Sequence, residues 1–240
     1  MKSSNTGLFF LGIFLSLGLA STGYFISQTM YNAKVALNTA EAKGLAEKRV
    51  QADRANWVIA FNVAGARNAS VPALYKQSEN HQQIIVDLLQ KHGLEEQEIT
   101  LGIINYYHQE FRDDNRKLVD ARHQLSGSIH VETDKVQLIA KVRAAVNKLI
   151  AEGIGIENRA PTYRFTKLNQ IKPEMLREAT KNARLAANEF AENAGVQVGG
   201  IRSARQGNFF IRDAGEEYGD TAKIEKDVRV VTTITFYLTE

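Results

Sequence analysis

The stretch "EATKNARLAANEFAENAGVQVGG", Glu178–Gly200, is rich in Ala and Asn and ends on paired glycines. Ala has the highest intrinsic helix propensity. Leu176, Ala179, Ala183, Ala186 or Ala187, Phe190 and Ala194 fall at steps of three and four, the spacing of an apolar helix stripe. Gly195 is placed to close that helix, because glycine takes the left-handed backbone of a helix C-terminus without strain. Val196, Val198 and Ile201 then carry the chain into a strand. Pro173 is expected in the first turn, where its missing N–H is not needed. The stripe predicts a helix lying on a sheet with Phe190 as its one bulky anchor. Lys181, Arg184, Asn188, Glu192 and Asn193 form the polar face.

The same succession of helix, glycine and strand occurs in "KHGLEEQEIT" (Lys91–Thr100) and "AEGIGIENRA" (Ala151–Ala160). Helices are expected over Val71–His92, with Leu74, Ile84, Ile85, Leu88 and Leu89 inward, and from an N-cap at Thr133 or Asp134 to Gly153. The latter has Val136, Ile139, Val142 or Arg143, Val146 and Ile150 inward. Period-two alternation predicts strands at Trp57–Ala66, with Trp57, Ile59, Phe61 and Val63 on one face, and at Val228–Leu238. Shorter strands are expected over Glu98–Tyr107, with Ile99, Leu101 and Ile103 on one face, and around Gln124–Thr133, Thr162–Leu168 and Val198–Gln206. The mixture predicts an α+β domain, a mainly antiparallel sheet covered by helices.

The N-terminus has a different character. Leu8–Ile26, "LFFLGIFLSLGLASTGYFI", is an uncharged run of 19 residues. As a helix it rises about 28 Å, close to the hydrocarbon thickness of a bilayer. Run length favours a retained membrane anchor over 1–27. The alternative is a cleaved secretory signal, with Gly18-Leu19-Ala20 a weak small-x-small site. Lys34 and Lys43 follow the span closely, so charge does not fix its orientation. Residues 28–50, polar, Ala-rich and free of Pro, are expected to form a helical stalk, and 51–240 the folded domain.

Three segments together carry a resemblance. "MLREATKNARLAANEFAENAGVQVGGI" (Met175–Ile201), with its Ala183-Arg184 pair and Gly-ended turn, is similar to the most recognisable part of the SIMPL-domain family. "IIVDLLQKHGLEEQEITLGIINYYHQEF" (Ile84–Phe111) and "SGSIHVETDKVQLIAKVRAAVNKLIAEGI" (Ser126–Ile154) resemble its earlier helix–turn–strand and strand–helix segments. The resemblance runs from about Ala52 to the C-terminus, and the polar stretch "RDAGEEYGDTAKIEKD" departs from it. It implies a bacterial envelope protein, ferredoxin-like βα units, self-assembly, and a link to envelope or oxidative stress. It supplies no catalytic residues.

Composition narrows the chemistry. The chain of 240 residues has a net charge of +3, spread along its length, which does not mark a nucleic-acid partner. The absence of cysteine excludes disulfides, thiol nucleophiles and thiolate metal sites. His81, His92, His108, His123 and His130 show no ligand spacing and are expected as surface or edge residues. His123 and His130, seven apart on one strand, face opposite ways. The glycine clusters follow helices rather than precede them, so they are caps and not phosphate loops. Asp113-Asp114 and Glu216-Glu217 read as solvated loops. No enzymatic activity, metal or cofactor is expected.

The function expected is that of a membrane-anchored envelope protein in the bacterial inner membrane, its domain facing the periplasm and forming homo-oligomers. Arg184, Ala187, Asn188 and Ala191 are the expected contact residues, small side chains beside the sheet-facing stripe where a second subunit packs. The alternative is a periplasmic module binding an anionic ligand, a lipid headgroup or cell-wall polymer, through Arg177, Lys181, Arg184, Arg202, Arg205 and Arg212.

Overall fold

The computed structural model describes residues 4–239. It contains four α-helices and nine strands in two antiparallel sheets among those residues, so the α+β class and the antiparallel sheets stand. Helix α1 (Ser4–Leu37) contains the apolar run, with Gly7–Ala33 long and apolar enough to span a bilayer and not buried in the protein. The chain, α1 included, divides into two compact units.

The first unit comprises Met1–Glu47, Lys172–Phe209 and Arg229–Glu240. Its sheet has the order β1 (Thr39–Gln51), β9 (Glu225–Thr239), β8 (Gln197–Asp213). Within this unit β9 alternates as expected, burying Val230, Thr232, Ile234 and Phe236. Helix α4 (Leu168–Asn193) buries Met175, Ala179, Ala183, Ala187 and Ala191, a strict four-residue spacing. The helical stalk expected over 28–50 is corrected here, because the helix ends at Leu37 and β1 follows. Ala42, Gly44 and Ala46 alternate with Glu41, Lys43, Leu45 and Glu47 along β1, and the small residues are the buried ones. Ala propensity pointed to a helix, and sheet pairing overrode it.

The second unit comprises Lys48–Ile171 and Phe210–Val228. Its sheet runs β3 (Ile99–Leu101), β5 (Leu118–Thr133), β2 (Arg54–Ala66), β6 (Gly155–Asn158). In addition β4 (Asn105–Arg112) pairs with β5, and β7 (Thr162–Arg164) with β2. Antiparallel pairing sets Trp57 against Val131, Ile59 against Ile129 and Phe61 against Gly127. A Cβ on Gly127 would stand 2.3 Å from the Phe61 ring, so the aromatic fills the space the glycine leaves. Helices α2 (Val71–Lys91) and α3 (Val136–Lys148) complete a core of Trp57, Ile59, Phe61, Ile85, Leu89, Ile129, Ile139, Val142 and Val146.

All three expected helix-closing glycines are left-handed, with φ 98° at Gly93, 89° at Gly153 and 72° at Gly195. Three local expectations change. The single strand expected over Glu98–Tyr107 breaks into β3 and β4, because residues 102–104 stand opposite Gly127 and Ser128 on β5, three residues against two. This extra residue throws Ile103 outward. The strand expected over Thr162–Leu168 stops at Arg164, where the Asp53 carboxylate accepts from the Thr166 amide and hydroxyl. Helix α4 starts five residues before Pro173, which therefore lies inside the helix and forgoes one main-chain bond.

Candidate functional site

The face expected to bind a partner is built by α4 and the start of β8. The strict spacing on α4 turns its register away from the expected one. Phe190 is 63% exposed, not the buried anchor, and Leu185 is 53% exposed. Ala187 and Ala191 are 0% and 3% exposed, so they face the unit's own core and cannot be subunit contacts as expected. Ala187 packs with Ala42, Ala183, Ile234 and Phe236. Steps of exactly four residues wander slowly around a helix, and this drift separates the observed stripe from one that alternates threes and fours.

Arg184 and Asn188 are exposed, and with Ala191, Glu192, Gln197 and Val198 they line a shallow groove at the α4–β8 turn. The Arg184 guanidinium donates to the carbonyls of Val198 (3.5 Å) and Gly199 (3.2 Å) and lies 5.6 Å from the Phe236 ring centroid. It therefore fastens the turn after Gly195. One cation, one carboxylate and two amides make this groove a polar, nearly neutral surface. Arg177, Lys181, Arg202 and Arg205 are exposed on the same unit.

In the second unit two arrangements lie outside the sequence reading. His108 and His123 are direct partners in the β4–β5 register, with their Nδ1 atoms 3.3 Å apart and their rings stacked at 4.9 Å. The Tyr106 hydroxyl lies 2.8 Å from His123 Nδ1. Spacing along the chain could not disclose this pair, since fourteen residues and a hairpin turn separate the two histidines. Among the described residues no group of three or more His, Cys, Asp or Glu side chains is placed to hold a metal.

The other is an ion pair between Lys226 and Asp213, with side chains 0% and 4% exposed. Lys226 Nζ also donates to the Asp220 carbonyl, and the Asp213 carboxylate accepts the amides of Ala222 and Lys223. Burial pushes the Asp213 carboxyl up, but the Lys226 ammonium and the two amides outweigh it and hold it below its ordinary value. The polar loop that departs from the expected family pattern is thus closed on a buried charge pair. Of the acidic pairs, Asp113 caps a turn by accepting the amides of Asn115 and Lys117, and Glu216 pairs with Lys223. On α2, Ser78 and His81 are buried without a hydrogen-bond partner for Ser78 Oγ or His81 Nδ1 among the described residues. Burial lowers the His81 pKa.

The fold and this surface define a class: an α+β domain behind one apolar N-terminal helix, with exposed apolar and polar faces and a helix laid on a small-residue strand. The chain belongs to the SIMPL family, described as proteins of unknown function (DUF541), whose profile matches residues 41–236. The match begins inside β1, two residues after that strand starts, so β1 belongs to the domain and not to a linker. No curated protein matches the sequence.

Proposed function

We propose that this chain is a non-enzymatic envelope protein held in the bacterial inner membrane by α1, with its SIMPL domain in the periplasm and copies of that domain self-associating. Ferredoxin-like βα units and a role in envelope or oxidative stress belong to the same reading, through the family resemblance. The observation that carries it is the apolar surface of the first unit. Leu185 and Phe190 on α4 and Ile201 on β8 are 53%, 63% and 49% exposed. Among the described residues β8 ends its sheet, pairing with β9 alone, which leaves a long strand edge open to another chain. The contact surface therefore shifts from Ala187 and Ala191 to Leu185, Phe190 and the β8 edge.

The test is the mass of the full chain in detergent, by sedimentation velocity with the detergent density-matched. Self-association predicts a particle of several protein masses, which Leu185→Lys with Phe190→Lys reduces while circular dichroism is unchanged. A monomer at tens of micromolar defeats the reading. The anchor is tested by mass spectrometry of the native N-terminus, since a mature chain beginning near Ser21 identifies a removed signal. A second reading, binding of an anionic lipid headgroup or cell-wall polymer, draws on exposed Arg177, Lys181, Arg202 and Arg205. It predicts salt-sensitive binding to anionic vesicles that charge reversal at Arg202 and Arg205 removes.

A further inference from the structure

We infer that the groove at the α4–β8 turn is a site for a zwitterionic phospholipid headgroup, its phosphate on Arg184 and its primary ammonium on Glu192. The inference rests on α1 as the retained anchor proposed above, because the anchor sets the height of the groove. The apolar span ends at Ala33 and α1 continues to Leu37, about 6 Å further at helical rise. Asn38 follows with no linker: its carbonyl accepts the Leu238 amide at 2.9 Å, and β1 begins at Thr39. Asn38 is thus fastened to the sheet roughly 10 Å beyond the apolar span. Leu238 meets Asn38 and Thr232 meets Gly44, so β1 is antiparallel to β9. A Cβ on Gly199 would stand 3.2 Å from the Tyr237 carbonyl oxygen, and Ser203 Oγ donates to Thr235 Oγ1, so β8 is antiparallel to β9 as well. Asn38, Leu238 and Gly199 therefore form one row, and β1 and β8 both lead away from the anchor.

Residues before Gly199 lie on the bilayer side of that row, and Gln197 and Val198 reach about 7 Å back toward the span. A headgroup layer is roughly 5–8 Å deep, so this turn stands among the headgroups. The groove of about 460 Å³ that it shares with α4 has the size of a small-ligand cleft. Val196 and Val198 give it apolar walls, and Arg184, Asn188, Glu192 and Gln197 its polar groups. The Arg184 guanidinium is held at the level of the row by the Val198 and Gly199 carbonyls, both accepting from Nη2. Its Nε and Nη1 hydrogens face no acceptor among the described residues and suit a phosphate. Glu192, eight residues on, is exposed and has no ion pair among the described residues. One free cation beside one free carboxylate repeats in reverse the charges of a phosphoethanolamine group. A quaternary ammonium has no N–H to give Glu192, and an anionic headgroup has no cation for it.

The test is native mass spectrometry of the full chain in detergent with phosphatidylethanolamine, phosphatidylcholine or phosphatidylglycerol added in turn. The expected result is one retained phosphatidylethanolamine, preferred over the other two. Glu192→Gln is expected to weaken its retention about two- to fivefold, the range of an exposed ion pair, and to erase the preference over phosphatidylcholine. Arg184→Gln weakens retention of both zwitterionic lipids. Because Arg184 also fastens the turn, Glu192→Gln, which breaks no contact of the fold, carries the decision. Arg205→Gln, on β8 outside the groove, retains lipid as the parent does. Equal retention of the three lipids overturns the inference, as does an ethanolamine preference that survives Glu192→Gln. A phosphatidylglycerol preference lost on charge reversal at Arg202 and Arg205 overturns it in favour of the anionic-ligand reading. The anchor is read separately, from the N-terminal mass. An intact N-terminus without the ethanolamine preference defeats the site alone, and a chain beginning near Ser21 defeats anchor and site together.

Discussion

Gly44 of β1 lies directly on the backbone of α4 at Ala179. A Cβ added to Gly44 would stand 1.8 Å from the Ala179 carbonyl oxygen and 2.4 Å from the Ala183 nitrogen. No side chain can yield there, since the obstructing atoms are main chain. The Ala-rich stretch is explained by this approach: Ala42, Gly44 and Ala46 on the strand meet Ala179, Ala183 and Ala187 on the helix, and small residues on both partners bring the backbones together. Gly44→Ala forces strand and helix apart and is expected to cost about 1–3 kcal/mol or more. Urea denaturation of the parent and the variant measures it, and an unchanged midpoint contradicts the close approach.

Phe190 supplies the contrast. Being exposed, it contributes little to folding, and Phe190→Ala is expected to change stability by no more than about 0.5 kcal/mol. A loss near the 3–5 kcal/mol of a buried phenylalanine would restore the register read from the sequence.

Ala187→Glu places a carboxylate among Ala42, Ile234 and Phe236. It is expected to unfold the first unit rather than dissociate an intact oligomer, because a buried unpaired charge is among the costliest substitutions. Circular dichroism and sedimentation together decide: loss of assembly with secondary structure and cooperative melting retained would return Ala187 to an interface.

Lys226→Met leaves Asp213 buried with only the amides of Ala222 and Lys223, and removal of one member of a buried pair costs about 3–5 kcal/mol. Reduced protection of the loop 214–224 in hydrogen exchange is expected alongside the lower melting temperature. A neutral effect in both would mean that the pair does not close the loop.

The pH dependence follows from the same pair. The Asp213 carboxyl is held below its ordinary value of 3.8, so the folded chain releases this proton more readily than the unfolded one. Its contribution is therefore fully present above pH 4 and is lost as pH falls through the lowered folded value. Melting temperature is expected to fall below about pH 4, and less steeply in Lys226→Met, where the ammonium that lowers Asp213 is gone. Equal slopes in parent and variant would remove Asp213 from the acid response.

By itself the sequence determined whatever rests on local pattern. The apolar run that becomes α1, the alternation along β2 and β9, the extents of α2 and α3 to within a few residues, and the glycines at 93, 153 and 195 all follow from periodicity and backbone freedom, which act over one or two turns of chain. Segment order and those glycines also sufficed for the family. Tertiary structure alone decided β1, the register of α4 and the side-chain pairs. Ala42, Gly44 and Ala46 have no apolar bulk to mark a strand, and only pairing with β9 gives their period-two pattern meaning. The four-residue stripe Met175, Ala179, Ala183, Ala187 and Ala191 faces the core and leaves Phe190 exposed, a register that the packing of α4 on its own unit decides and local spacing does not. His108 meets His123, and Lys226 meets Asp213, because strand register joins residues that the chain keeps apart.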